Sequence, residues 1–369
     1  MAGRRAQPSE RVLTRAELNR ATLARQLLLK RERLSVPRVV ERLCALQAQY
    51  SPAPYIGLWS RLTDFRKEAL TRALDRGQVV KTTMFRVTLH LVSARDYPAF
   101  AAVVVGARRA KLASRAPEID VAEFDERLRG RETWTIPEIR EVVWPTVEAA
   151  TKGWMDVWSS TRALVPMVHV PPSGTWRFHG EAQLTHAELW LGRGLEPDGA
   201  AERLVRSYLA AYGPASQADL LKFGGLQVRD VKEGLDSLEL VRFRDEAGRI
   251  LLDLPHGPLP PAETRPPARF LTKWDSAIIS YADRSRIVAP EHQPAIIKKN
   301  GDFLPTILVG GFVAGTWEIK RAQGKATLHV RPFEPLPRAW RDELSDEGER
   351  LVRFVEDDAT SFAVRFGSP

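Results

Sequence analysis

With 369 residues, 44% hydrophobic and 27% charged, the chain is long enough for two or three domains, each with its own core. A formal charge of +9 and an isoelectric point near 9.8 favour a polyanionic partner. No run of 18 apolar residues argues for a transmembrane helix, the opening stretch 1–8 lacks the apolar core of a signal peptide, and the single Cys44 rules out an intramolecular disulfide framework. These features point to a reducing cytoplasm.

In chain order, stretches 15–29, 36–47 and 65–75 read as helices, followed by strands 79–82 and 86–92 with Thr83-Met84-Phe85 at the bend. A less distinct copy follows. Stretches 121–128 and 136–143 are helical, with Thr135 and Pro137 as start signals, and 164–170 with 175–178 form a hairpin across Pro171-Pro172-Ser173-Gly174. The third copy is the clearest. Helix 200–212 is closed by Gly213-Pro214, Ser216 caps a helix to Phe223, Gly224-Gly225 turns, and helix 228–238 leads into strands 240–244 and 249–253. Three helices and a hairpin make a winged helix.

The fold class expected is α+β: three tandem winged-helix modules at 11–95, 96–196 and 197–254. A linker with six prolines follows at 255–267, then a β-rich, barrel-like unit at 268–369. Turn signals Asn300-Gly301-Asp302 and Gly310-Gly311 separate expected strands 296–297, 304–309 and 312–319; 326–331 continues the meander, and helix 339–354 and strand 361–366 close the chain.

Charge is segregated. The first 34 residues carry nine basic side chains (Arg4, Arg5, Arg11, Arg15, Arg20, Arg25, Lys30, Arg31, Arg33) against Glu10, Glu17 and Glu32; stretch 342–358 carries eight acids against Arg350 and Arg353. Arginine spread freely over solvated faces is one reading. A nucleic-acid face with an acidic back is the other, and the segregation favours it.

The chemistry-bearing residues are few. Seven scattered histidines with one cysteine give no zinc spacing, so no metal and no cofactor are expected. Phosphate loops and nucleophile elbows are lacking. Leu46-Gln47-Ala48-Gln49, at the expected end of a basic amphipathic helix and before the stop signal Ser51-Pro52-Ala53-Pro54, remains. In a continuous helix Gln47 and Gln49 would diverge; if the chain straightens, they can converge. A glutamine carbonyl can then orient a water while its NH2 grips a phosphate or sugar oxygen. The alternative is that both amides satisfy backbone groups at a helix end.

Lys81, Thr82, Thr83, Arg86 and His90 alternate cations and hydroxyls along a hairpin, as phosphate contacts or as a solvated strand face. The cluster from Trp274-Asp275-Ser276 to Tyr281, Arg284 and Arg286 reads as an interdomain brace or as a DNA contact made by Arg284 and Arg286.

These segments together resemble the AlkZ/YcaQ-like family of winged-helix DNA glycosylases, over about residues 13–333. The resemblance rests on Leu46-Gln47-Ala48-Gln49, Ala53-Pro54-Tyr55-Ile56-Gly57-Leu58-Trp59, Lys81-Thr82-Thr83-Met84, Thr88-Leu89-His90-Leu91-Val92-Ser93 and Tyr212-Gly213-Pro214-Ala215-Ser216. Trp274-Asp275-Ser276, Tyr281-Ala282-Asp283-Arg284-Ser285, Asn300-Gly301-Asp302 and Gly315-Thr316-Trp317 complete it. It implies a C-shaped array around duplex DNA and hydrolysis of the N-glycosidic bond of alkylated purines, with Gln47 and Gln49 as the catalytic pair. Gln49, where the YcaQ branch carries aspartate, is similar to the AlkZ branch, which removes bulky N7-guanine adducts and crosslinks made by DNA-alkylating natural products. Lys81 departs from the histidine that often precedes Thr-Thr-Met.

The expectation is therefore a monofunctional DNA glycosylase, monomeric, acting in the nucleoid on duplex DNA containing alkylated purines. A non-catalytic winged-helix regulator is the alternative, and a lyase using Lys81 a third reading.

Overall fold

The computed structural model describes residues 10–151 and 164–368; Arg4 and Arg5 of the basic N-terminal stretch lie outside it. It is a mixed α+β structure built on three sheets. One is six-stranded, in the order Leu46–Gln47, Leu89–Ser93, Val79–Thr83, Met167–His169, Gln183–His186, Trp134–Thr135, every pairing antiparallel. The Thr82↔Val168 pairing makes the strands expected for the first and second segments one continuous sheet. One of its two edge strands is Leu46–Gln47.

That edge strand corrects the sequence reading. The helix expected at 36–47 ends at Arg42, because Cys44 adopts a left-handed conformation (φ 64°) and turns the chain into an extended path. Ser51-Pro52 does not stop a helix but begins one, Pro52–Arg61, with proline where its missing N–H costs nothing. The helix expected at 15–29 closes at Arg25, ahead of left-handed Leu27 (φ 57°). Stretch 86–92 becomes strand only from Leu89, and 175–178 is a turn, the true partner of Met167–His169 being Gln183–His186. Helix Tyr97–Ala113 was not foreseen.

Segment 200–253 follows expectation closely. Helix Ala200–Tyr212 is followed by Gln217–Gly224, which starts at a reciprocal Ser216/Asp219 cap, then by Val228–Asp236 and the antiparallel pair Val241–Asp245 and Ile250–Asp253. Val12–Leu13 adds to this pair as a parallel edge.

The C-terminal part is not a barrel. Arg269–Leu271, Thr306–Val309, Phe312–Ala322, Lys325–Pro332 and Ser361–Phe366 form an open five-stranded sheet in chain order. Helix Arg338–Val355 buries Leu344, Leu351 and Val352 against it, so its apolar residues are covered without curling the sheet on itself. Of stretch 296–297, expected as strand, Ile296 ends the short helix Gln293–Ile296 and Ile297 makes a single antiparallel bridge to Phe303.

A shared core fastens the parts. Phe85, Val92 and Phe100 pack with Tyr208, Tyr212, Phe223 and Tyr281. Tyr281 donates to the Tyr212 carbonyl at 2.9 Å, while Arg25 meets Asp253 and Arg61 meets Asp275, each at 2.7 Å and almost wholly buried. Asp275 and Tyr281 therefore brace the molecule. Cys44 is core filler, its thiol pushed well up by burial.

Candidate active site

Gln47 occupies the edge strand opposite His90, and beyond it the Ala48 N–H continues the ladder to the Leu89 carbonyl at 2.7 Å. The turn at Cys44 takes the chain out of the helix, so Gln47 ends the strand and Gln49 lies in the bend that follows it. Gln47 Oε1 accepts from Arg86 at 3.4 Å, and Gln49 Oε1 accepts from the Leu89 N–H at 3.2 Å. Both carbonyls thus face one short stretch, residues 86–89. Neither Nε2 has a hydrogen bond among the described residues, and each carbonyl keeps a second lone pair. Gln47 is buried to 9% exposure and Gln49 is exposed.

The facing stretch is under strain. Arg86 and Val87 both adopt positive φ (52° and 57°), a conformation costly for any residue with a Cβ and most of all for a β-branched one. Arg86 holds the bend by donating to the Phe223 carbonyl, its guanidinium 5.7 Å from the Phe223 ring. Val87 stands 37% exposed at the tip.

Positive charge collects behind the pair. Arg108 donates to the Met84 carbonyl, and Arg284 lies over the Phe303 ring at 5.3 Å. Burial lowers the pKa of Arg86, of Arg108 (to about 10) and of Arg284, and Arg284 is close enough to depress Arg86 further. Arg108 Nη1 and Arg284 Nε are buried without a hydrogen bond among the described residues. His90 adds no charge. Burial, then Arg86, push its pKa down to about 3, while its Nδ1 lies 2.9 Å from the Thr88 carbonyl.

Of the residues expected to touch DNA, the structure brings Arg86 and Arg284 beside the pair and leaves Thr83 half-buried at the strand end. The others turn inward. The Thr82 hydroxyl donates to the Met167 carbonyl at 2.8 Å and pins neighbouring strands; His90 is 2% exposed. Arg286 donates to the Pro214 carbonyl and covers the Tyr281 ring at 4.2 Å. Lys81 is 4% exposed, with Nζ 3.4 Å from Ser51 Oγ, beneath the turn at Gly174, where a Cβ would come within 2.4 Å of Lys81 Cδ. Arg108, on an unforeseen helix, and Phe223 are the residues sequence reasoning missed.

This arrangement can bind anions and position a neutral molecule; among the described residues no carboxylate is hydrogen-bonded to either amide. The pattern of the family described as "DNA glycosylase AlkZ-like" matches residues 40–354, so the chain belongs to the AlkZ-like DNA glycosylase family. It is 26% identical over 354 residues to the "Interstrand DNA cross-link repair glycosylase" of Streptomyces sahachiroi, an alignment covering 90% of this chain and 94% of that protein. The solved structure of Streptomyces sahachiroi DNA glycosylase AlkZ shares the fold with a TM-score of 0.77 at 21% identity, over 96% of this chain and 100% of that one.

Proposed function

We propose that this chain is a monofunctional DNA glycosylase that hydrolyses the N-glycosidic bond of N7-alkylguanine in duplex DNA, bulky adducts and interstrand crosslinks included. The observation that carries the reading is the turning of both Gln carbonyls toward one stretch while neither amide NH2 has a partner among the described residues. N7-alkylation makes guanine cationic, so the C1′–N9 bond breaks with its electron pair neutralising the base, and no general acid is needed. What remains is to stabilise an oxocarbenium-like sugar and aim water at C1′. Positioned neutral dipoles suffice for that. Each Gln carbonyl orients the water with its spare lone pair, each NH2 grips a sugar or phosphate oxygen, and the water's proton passes to solvent. Arg86, Arg284 and Thr83 take phosphates.

In this reading the segments at 11–95, 96–196 and 197–254 act as three winged-helix modules, and a monomer in the cytoplasm protects a cell exposed to a DNA-alkylating natural product. Lys81, covered by the Gly174 turn, is no Schiff-base nucleophile.

The test is incubation with methylated duplex. Free N7-methylguanine should appear by chromatography, the strand should break only on alkaline heating, and borohydride should trap no covalent complex. Tight binding to a single operator with no base released would instead favour the regulator.

A further inference from the structure

A cavity of about 610 Å³ lies between helix Pro52–Arg61 and the five-stranded sheet, walled on one side by the residue that follows Gln49. Its volume suits a drug-sized ligand rather than a single water or a methyl group. Two covalent connections join it to the site. Tyr50, directly after Gln49, forms one wall and is 47% exposed; Leu304, directly after the Phe303 that carries Arg284, forms another. Trp317 and Ile319 provide apolar lining, the Trp317 ring being fixed by its Nε1 donating to the Leu271 carbonyl at 2.9 Å. Lys273 and Lys298 supply donors. Both approach Asp302, at 3.0 and 3.9 Å, and Lys273 Nζ lies 6.0 Å from the Tyr50 ring centre. Glu318 and Glu356 also line the cavity, paired with Arg331 at 2.6 Å and Arg177 at 2.7 Å, and each lysine ammonium keeps spare N–H bonds.

We propose that this cavity receives the substituent that a bulky lesion carries on guanine N7: a rigid, partly aromatic group rich in oxygen acceptors. The proposal rests on the glycosylase reading and adds to it a specificity pocket distinct from the two amides. Tyr50 and Trp317 offer ring faces, Leu304 and Ile319 apolar contact, and the lysines hydrogen bonds to carbonyl or ether oxygens. A methyl group on N7 reaches none of these, so the pocket discriminates by lesion and leaves the hydrolytic step alone.

The experiment compares duplexes carrying N7-methylguanine with duplexes carrying the N7-guanine adduct of aflatoxin B1 epoxide, a planar oxygen-rich polycycle. The enzymes are the full chain, Ile319→Trp, which fills the cavity, and Tyr50→Ala, which opens a wall. Both variants should excise the bulky adduct about tenfold or more slowly, about 1.4 kcal/mol or more, and methylguanine at close to the parent rate, which also shows that they fold. Equal losses on both lesions, or none on either, would overturn the pocket. Fluorescence anisotropy separates this outcome from failure of the glycosylase reading. Even without turnover, the parent should bind the bulky-adduct duplex at least tenfold more tightly than unmodified duplex, and Ile319→Trp should erase that preference. Parent binding with no preference would also overturn the pocket, whereas absent base release with the preference intact would sink only the glycosylase reading.

Discussion

Two sets of arginines are treated oppositely. In the seam between segments, Arg25 and Arg61 each meet a buried carboxylate with two nitrogens, Asp253 and Asp275, and also donate to the Leu209 and Gly57 carbonyls. Beside Gln47, Arg86, Arg108 and Arg284 are also largely withdrawn from water, yet none makes a salt bridge among the described residues; they rest on carbonyls and rings. A buried charge with its counter-ion holds a fold together, whereas a buried charge without one retains affinity for an anion from outside. The first set is architecture; the second, in the proposed reading, takes DNA phosphates.

The contrast breaks most visibly at the seam. Arg61→Ala strands the Asp275 carboxylate in the core and should cost about 3–5 kcal/mol by denaturant unfolding; a loss near zero would mean the seam is not structural. Next comes Arg86→Ala. Excision should fall about 100-fold, comparable to removing one positioned donor at a catalytic site, with less effect on DNA affinity. A loss confined to affinity would make Arg86 a phosphate contact only and remove its part in holding Gln47.

His90 gives a smaller, pH-dependent effect. Its folded pKa of about 3 lies below that of the unfolded chain, so the unfolded state binds the extra proton and stability falls as pH drops from about 6.5 toward 3. The slope attributable to this residue is roughly 1.4 kcal/mol per pH unit, and His90→Gln should flatten the acid limb by that amount. An unchanged limb would show that the histidine is not buried in neutral form. The smallest change is Val87→Gly, which relieves the left-handed strain and should raise stability by about 0.5–1 kcal/mol despite glycine's entropy. A lower melting temperature would contradict the strain.

What could be read from the chain followed local punctuation. Helix Gln217–Gly224 was legible because Ser216 and Asp219 form a reciprocal cap and Gly213-Pro214 ends the helix before it. The Gln pair stood out by its chemistry, but its backbone did not. Leu43-Cys44-Ala45 contains no glycine or proline to announce a left-handed turn, so the helical pattern of the sequence runs on to Gln47 although the helix ends at Arg42. Ser51-Pro52 misled for the opposite reason, since proline marks helix starts as well as stops. Helix Tyr97–Ala113 lacks a side-chain cap and is apolar around much of its first half, so its amphipathic signal is weak and Arg108 went unnoticed with it. The barrel expectation failed because strand signals do not reveal whether a helix will cover the sheet.

The most direct measurement is a double-mutant cycle on single-turnover release of N7-methylguanine, using Gln47→Ala, Gln49→Ala and the pair. Amides that share one water should behave as a unit, so each single variant loses about 100-fold or more and the double loses little beyond the worse single. Losses that multiply independently would contradict a shared water, and a double variant as fast as the parent would remove the amides from catalysis altogether.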